Sequence, residues 1–238
     1  MDYNLIVACS NNYGIGNNGK LPWNIPNDLK RFSQLTKGKG NNAIIMGRKT
    51  WDSLPIKPLP NRINIVLTSN HDLIHKYKDD EQIIFLPTFD DIDEFCKFEG
   101  FDEVWIIGGV SIYKHYINSG KVKAIYMTYI NKHFNCDTNI DFINNINNPY
   151  QIIEKIVDKY ENIDIYYIKL ILLKKNKQIH FTYSSWNNKE VTGTSKIINW
   201  IPIGQVNENN YLIFIKDESS LTSDDIKTIC GTSITHIS

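Results

Sequence analysis

Arginine is almost missing from this 238-residue chain: Arg31, Arg48 and Arg62 are the only three. Lysine carries the remaining positive charge, and 26 basic residues are matched by 26 acidic ones. Zero net charge gives no general attraction to nucleic acid or to an anionic membrane surface. Cysteine is scarce as well. Cys9, Cys96, Cys136 and Cys230 lie far apart with no C-x-x-C spacing, so neither a zinc ribbon nor a dithiol motif is indicated and no metal is expected. Isolated thiols suit a reducing compartment. No apolar run approaches the ~20 residues that cross a bilayer, and MDYNLIVACSNN at the start is too short and polar for a signal peptide. The G-x-G-x-x-G fingerprint is absent too, which excludes an ordinary Rossmann enzyme. These absences point to a cytoplasmic protein with neither membrane nor nucleic acid as partner.

What is present reads as strand and helix in alternation. Short apolar runs at Leu5–Ser10, Ala43–Met46, Ile63–Thr68, Ile83–Leu86, Val104–Ile107 and Ala124–Tyr129 have the character of buried parallel strands. Helical spacing of apolar residues is found over Asn27–Leu35, Arg48–Leu54, Asp91–Phe98 and Ser111–Ile117. The order predicts an open, mostly parallel α/β sheet. Ile152–Asp158 and Ile165–Lys174 follow with no helix between them, which predicts an antiparallel pair at the edge. Residues 1–176 form this unit. Residues 177–238 are a small C-terminal extension, expected to hold short strands (Ile179–Tyr183, Ile197–Pro202, Tyr211–Ile215) and one short helix from Ser223 to Gly231.

The organising stretch is GIGNNGKLPWNIPNDLKRF, residues 14–32. It joins a Gly/Asn loop (Gly14–Gly19), a Leu21-Pro22-Trp23 corner and the start of a helix. Asp28 falls in that helix's first turn between apolar positions, so its carboxylate would line a pocket. A carboxylate there can also simply serve the helix dipole. Two further sites place glycine straight after a strand: Gly47-Arg48-Lys49-Thr50, and Gly108-Gly109 before Ser111. Exposed backbone N–H groups at such turns favour anions, and adjacent glycines let a ligand touch the main chain. Ligands of open α/β sheets bind at the carboxyl ends of strands, so the two turns could hold the halves of one dinucleotide. Each turn is equally readable as a helix-capping glycine.

In this order and at this approximate spacing, LIVACSNNYGIGNNGKLPW, the Asp28 helix, IMGRKTW, PLPNR, IIGGVSIY, and Thr128 with Asp137-Thr138 resemble the dihydrofolate reductase family across about residues 1–175. The resemblance implies a mostly parallel eight-stranded sheet with flanking helices. It implies NADPH-dependent reduction of 7,8-dihydrofolate to tetrahydrofolate in one-carbon and thymidylate metabolism, with dihydrofolate and antifolates as ligands.

Carried over, Asp28 matches the family's buried acid, which pairs with the pterin and assists protonation of N5. Burial is expected to raise its pKa. Trp23 matches the residue that holds a water there, and Thr128 the hydroxyl that orients the acid. Ile6, Val7, Leu21, Leu29, Phe32, Leu54 and Ile107 match the apolar walls around substrate, which are core on their other side. Arg62 matches the arginine that grips the glutamate α-carboxylate. On the cofactor side, Ala8 and Ile15 match residues beside the nicotinamide, and Asn11–Lys20, with Gly16, the loop that closes over it. Gly47, Arg48, Lys49 and Thr50 match the first phosphate turn. Thr68 and Ser69 match the surroundings of the 2′-phosphate. Gly108, Gly109, Ser111, Ile112 and Tyr113 match the second phosphate turn and the nicotinamide ribose region, with a cis Gly-Gly peptide.

The chain departs from the family at two points. Val110-Ser111 stands where some relatives have arginine, and Pro87 where some have lysine, so Arg48 and Lys49 must supply most of the preference for NADPH. The extension matches nothing usable; Trp186 and Trp200 are expected in a small core, and any protein partner is left open. Two other readings compete: a pyrimidine reductase of riboflavin synthesis, which would lack the Trp23/Asp28 pair and Arg62, and a binding or scaffold protein on a degenerate reductase domain.

Overall fold

The computed structural model describes residues 2–140, 150–172, 179–184 and 190–195. The expected strands at Ile197–Pro202 and Tyr211–Ile215, the helix from Ser223, and Trp186 and Trp200 lie outside the described residues. The chain divides into two compact units: Met1–Asp141 with Ile152–Ile171, and Phe142–Gln151 with Leu172–Ser238.

Eight strands build the main sheet. They are β1 (Tyr3–Ser10), β3 (Asn42–Gly47), β4 (Ile63–Leu67), β5 (Ile83–Leu86), β6 (Glu103–Gly108), β7 (Val122–Ile130), β9 (Tyr150–Tyr160) and β10 (Ile163–Leu172), in the spatial order β5-β4-β3-β6-β1-β7-β10-β9. From β5 to β7 every neighbouring pair is parallel. β10 runs antiparallel to β7, and the two-residue turn between β9 and β10 makes that pair antiparallel as well. The central strands are fully buried apolar runs such as Ala43–Met46, which is why they carry no polar alternation.

Helices α1 (Pro26–Lys37), α2 (Arg48–Ser53), α4 (Phe89–Glu99) and α5 (Val110–Asn118) connect the strands. Pro26 sits at the start of α1, where its missing N–H costs nothing. Thr88 caps α4 by accepting from Asp91 N at 3.1 Å, and Gly100 ends it in the left-handed conformation.

Several elements depart from the expectation. α3 (His71–Lys76) fully buries no residue, and only Leu73 packs partly against the core; its clearest signal is the Asn70 cap, whose Oδ1 accepts from Leu73 N at 3.1 Å. Gly14–Gly16, expected within a loop, is a short strand β2 paired antiparallel with β8 (Thr138–Asn139). A glycine-rich segment has no side chain to announce pairing with a partner so distant in sequence. In the second unit, β11 (Ile179–Ser184), an expected strand, pairs antiparallel with β12 (Glu190–Ser195), which was not expected.

The largest core cluster surrounds Trp51 and Trp105 and includes Ile6, Ile44 and Met46, with Phe32, Leu54, Ile107 and Tyr126 packed against it. A second gathers Trp23, Ile25, Ile130, Ile165 and Tyr167, with Ala8 and Phe134 alongside.

Candidate active site

α1 packs Phe32 and Leu35 partly against the core, yet its most buried residues are polar. Its buried residues are Asp28 and Thr36, a carboxylate and a hydroxyl, while Leu29 is 48% exposed. Hydrophobic residues normally take the inside and charges are buried only when held by partners. Asp28, 9% exposed, has such a partner: Thr128 Oγ1 donates to its Oδ1 at 2.6 Å. Burial raises the Asp28 pKa; the Thr128 hydrogen bond and the Arg31 charge work in the opposite direction without cancelling it. The acid is therefore anchored to the sheet from a different element, which a plain helix-dipole carboxylate would not be.

Thr128 lies opposite Ala8 in the β7/β1 register, two residues before each strand ends. Trp23 is buried nearby in sequence, with its ring edge-on to Phe134 at 5.3 Å. Its Nε1 donor is buried and lacks a protein partner, a vacancy in hydrogen bonding that ordered water normally fills.

Leu21 is 52% exposed. Leu21 and Leu29, the two exposed leucines among the described residues, flank the Trp23–Asp28 segment in sequence. Of the other expected wall residues, Ile6 and Val7 are buried, and Ile6, Phe32, Leu54 and Ile107 share the Trp51 cluster. Arg62 is buried with its guanidinium 5.9 Å from the Phe32 ring centroid. Its Nη1 donates to Thr36 Oγ1 and its Nε to Pro60 O at 3.0 Å. The turn that carries it is clasped by buried Asn64, whose Oδ1 accepts from Leu59 N at 2.9 Å and whose Nδ2 donates to Leu59 O at 3.0 Å.

The two glycine turns meet. They follow adjacent parallel strands, β3 and β6. A Cβ on Gly47 would lie 3.3 Å from Ile112, and one on Gly109 would lie 3.4 Å from Thr50 Oγ1. Each turn thus abuts a residue of the other. Gly108 has φ 121° and a cis peptide to Gly109; Tyr113, packed against Gly108, donates its hydroxyl to Ile6 O at 2.9 Å. Ser111 is exposed at the first turn of α5, and Ile112 is buried beneath it. Lys49 is exposed; Arg48 is exposed too, but pairs with Asp52 at 2.6 Å. Thr68 is buried just beyond β4 and accepts from Asn70 N at 3.2 Å, whereas Ser69 is exposed.

Ile15 and Gly16, both partly buried, lie in β2. Their segment is pinned to residues 134–140: Asn12 Nδ2 donates to Phe134 O at 3.2 Å, Asp137 N to Gly16 O at 3.1 Å, and Asn18 N to Asp137 Oδ2 at 2.7 Å. A side chain at Gly14 would collide with Cys136. Because β1, β3, β6 and β7 are parallel, the glycine turns and the Asp28–Thr128 pair all sit toward one end of the sheet, the carboxyl end. Thr36 and Asn64, which hold Arg62 and the turn that carries it, were not singled out in the sequence: each meets its partner only through the folded conformation.

A family model described as dihydrofolate reductase matches residues 2–175. A dihydrofolate reductase of Heliothis virescens is 40% identical over 148 residues, covering 58% of this chain and 80% of that protein. One of Aedes albopictus is 36% identical over 170 residues, covering 68% of this chain and 89% of that protein. A bifunctional dihydrofolate reductase-thymidylate synthase of Daucus carota is 36% identical over 151 residues, 59% of this chain but only 28% of that longer protein. With the family model spanning most of its length, this chain belongs to the dihydrofolate reductase family of oxidoreductases.

Proposed function

We propose that this chain reduces 7,8-dihydrofolate to 5,6,7,8-tetrahydrofolate with NADPH, serving one-carbon and thymidylate metabolism, and that Asp28 binds the pterin and directs a proton to N5. The observation that carries this reading is the buried Asp28 carboxylate, tied to Thr128 beside exposed Leu29. With Oδ1 engaged by Thr128, the carboxylate keeps acceptor capacity for the parallel donors of the pterin 2-amino group and N3. The raised pKa lets Asp28 hold a proton nearer neutral pH than an exposed acid does. The buried Trp23 Nε1, a donor without a protein partner, supports a role for Trp23 in holding a water on the proton's path to the acid.

The cofactor assignment rests on the facing glycine turns, whose main chains are bare where a Cβ would intrude, with Lys49, Arg48 and Thr50 as phosphate partners. When bound, NADPH supplies the hydride for C6 and leaves as NADP⁺; the balancing proton reaches N5 from solvent. Arg48 shares its charge with Asp52, which leaves Lys49 the larger part of any preference for the 2′-phosphate. Arg62 spends two donors on the protein and keeps the rest of its fork for the glutamate α-carboxylate of the substrate. A cytoplasmic setting belongs to the same reading, supported by free thiols at Cys9, Cys96 and Cys136.

The testing experiment follows the near-ultraviolet absorbance of NADPH on addition of dihydrofolate, with methotrexate as competitor. It uses the full chain and a chain ending at Asn176. Methotrexate-sensitive oxidation by both is expected. No dihydrofolate-dependent oxidation, or oxidation only with a ribosylamino-pyrimidine precursor of flavin, overturns the reading; activity confined to the full chain overturns the assignment to residues 1–176.

A further inference from the structure

Arg31 follows Asp28 by three residues on α1, so the two side chains share one face of the helix. No direct ion pair joins them. The Arg31 guanidinium instead lies over two rings of the sheet, 4.9 Å from the Tyr167 centroid and 5.9 Å from that of Tyr126. These tyrosines belong to the face that carries Thr128: Tyr126 is two residues before it on β7, and Tyr167 is its partner across the β7/β10 register. Arg31 Nη1 is buried without a hydrogen-bond partner. Arg31 is partly buried overall, but a buried, unused donor on it costs stability, and at a purely structural position a neutral side chain of similar length would fill the space without that cost.

We propose that Arg31 is a positioning residue for the reduction: stacked on Tyr126 and Tyr167 one helical turn from Asp28, it holds a fixed positive charge that favours the ionised acid and sets the pH range over which Asp28 gives and regains its proton. The inference rests on the functional reading above. The surrounding charges support it. Burial works against the charged form of Arg31, while Asp28 and Glu154, on β9, both favour it. Lys169 on β10 lies over Tyr126 at 5.0 Å. Asp158 on β9 accepts a long 3.5 Å bond from the Tyr167 hydroxyl and one of 3.1 Å from Asn27 Nδ2. Among these groups and Thr128, the opposing influences on Asp28 are Thr128 and Arg31. Thr128 does so by contact; Arg31 does so by charge alone, so it acts whether or not substrate occupies the other carboxylate oxygen.

The test compares the full chain with Arg31→Met and Arg31→Lys. Two midpoints are read: the pH dependence of single-turnover NADPH oxidation by dihydrofolate, and the ¹³C titration of the Asp28 carboxyl in ligand-free protein, assigned with Asp28→Asn. Arg31→Met is expected to move both midpoints to higher pH, and Arg31→Lys, which keeps the charge, to restore them toward the parent. A folded Arg31→Met protein with unmoved midpoints overturns the proposal, even if its melting temperature falls, since a packing role alone predicts that result. An unmodified chain that does not reduce dihydrofolate defeats the functional reading instead, and the carboxyl titration still decides whether Arg31 governs Asp28.

Discussion

Thr128 and Asp28 are one hundred residues apart in sequence and 2.6 Å apart across a hydrogen bond, hydroxyl to carboxylate. The bond welds the first turn of α1 to β7. It fixes one carboxylate oxygen, Oδ1.

Thr128→Val removes the donor and keeps the shape. A hydrogen bond to a charged group contributes about 1.5–3 kcal/mol, and each 1.4 kcal/mol is tenfold in rate or affinity. We expect kcat/KM for dihydrofolate to fall by about tenfold or more, while NADPH affinity stays within twofold. Thr128→Ser should recover most of the loss. Steady-state kinetics with both substrates check this; an equal loss toward NADPH would contradict the assignment of Thr128 to the acid.

Burial has a signature in stability as well. The Asp28 pKa is raised above its ordinary value of 3.8, so the folded protein binds this proton more readily than the unfolded chain. The group's contribution to stability is full below 3.8 and is lost as pH rises through the folded pKa. Asp28→Asn has no proton to lose. At neutral pH it should therefore melt at a higher temperature than the parent, and the gap should close as the pH is lowered toward 3.8. Thermal denaturation across that range is the check.

Arg62→Leu should raise the KM for dihydrofolate by at least about tenfold, the order expected for losing a bidentate charged contact. Cofactor affinity should stay as it was. Dihydropteroate, which lacks the glutamate, provides the control: its kinetics should be insensitive to the substitution. Equal effects on both substrates would place Arg62 in the scaffold of the Thr36 and Pro60 contacts alone.

Gly47→Ala adds a methyl 3.3 Å from Ile112 in the partner turn. The Ile112 side chain must then give by a few tenths of an ångström. Weaker NADPH binding is expected, by about three- to tenfold, with methotrexate binding to the free protein unchanged. Fluorescence titration of each ligand separates these outcomes.

The strands of the parallel part were legible because each holds a short, largely apolar run, and β3, β4 and β5 match such runs to within a residue or two. The residues near Asp28 were readable as motifs, but their roles in packing were not. Periodicity makes Leu29 look like core, yet it is exposed beside a buried acid; a pattern rule assumes that the apolar face meets protein. Thr36 lies twenty-six residues from Arg62, which it meets only in the folded chain. Asn64 reads as one polar residue within a strand, and its grip on the Leu59 backbone depends on a turn conformation that composition does not report. α3 and the β2–β8 pair were hidden for the converse reason: neither buries the apolar side chains that announce an element.

The claim on which the account depends is that Asp28 assists the proton that balances hydride arrival. Single-turnover reduction by Asp28→Asn, followed from acid to alkaline pH beside the parent, tests it most directly. The account predicts normal NADPH binding, a rate at neutral pH lower by at least about a hundredfold, the scale of general acid catalysis, and partial recovery on acidification as solvent supplies the proton. A variant that reduced dihydrofolate at the parental rate near neutrality, with the parental pH profile, would contradict it.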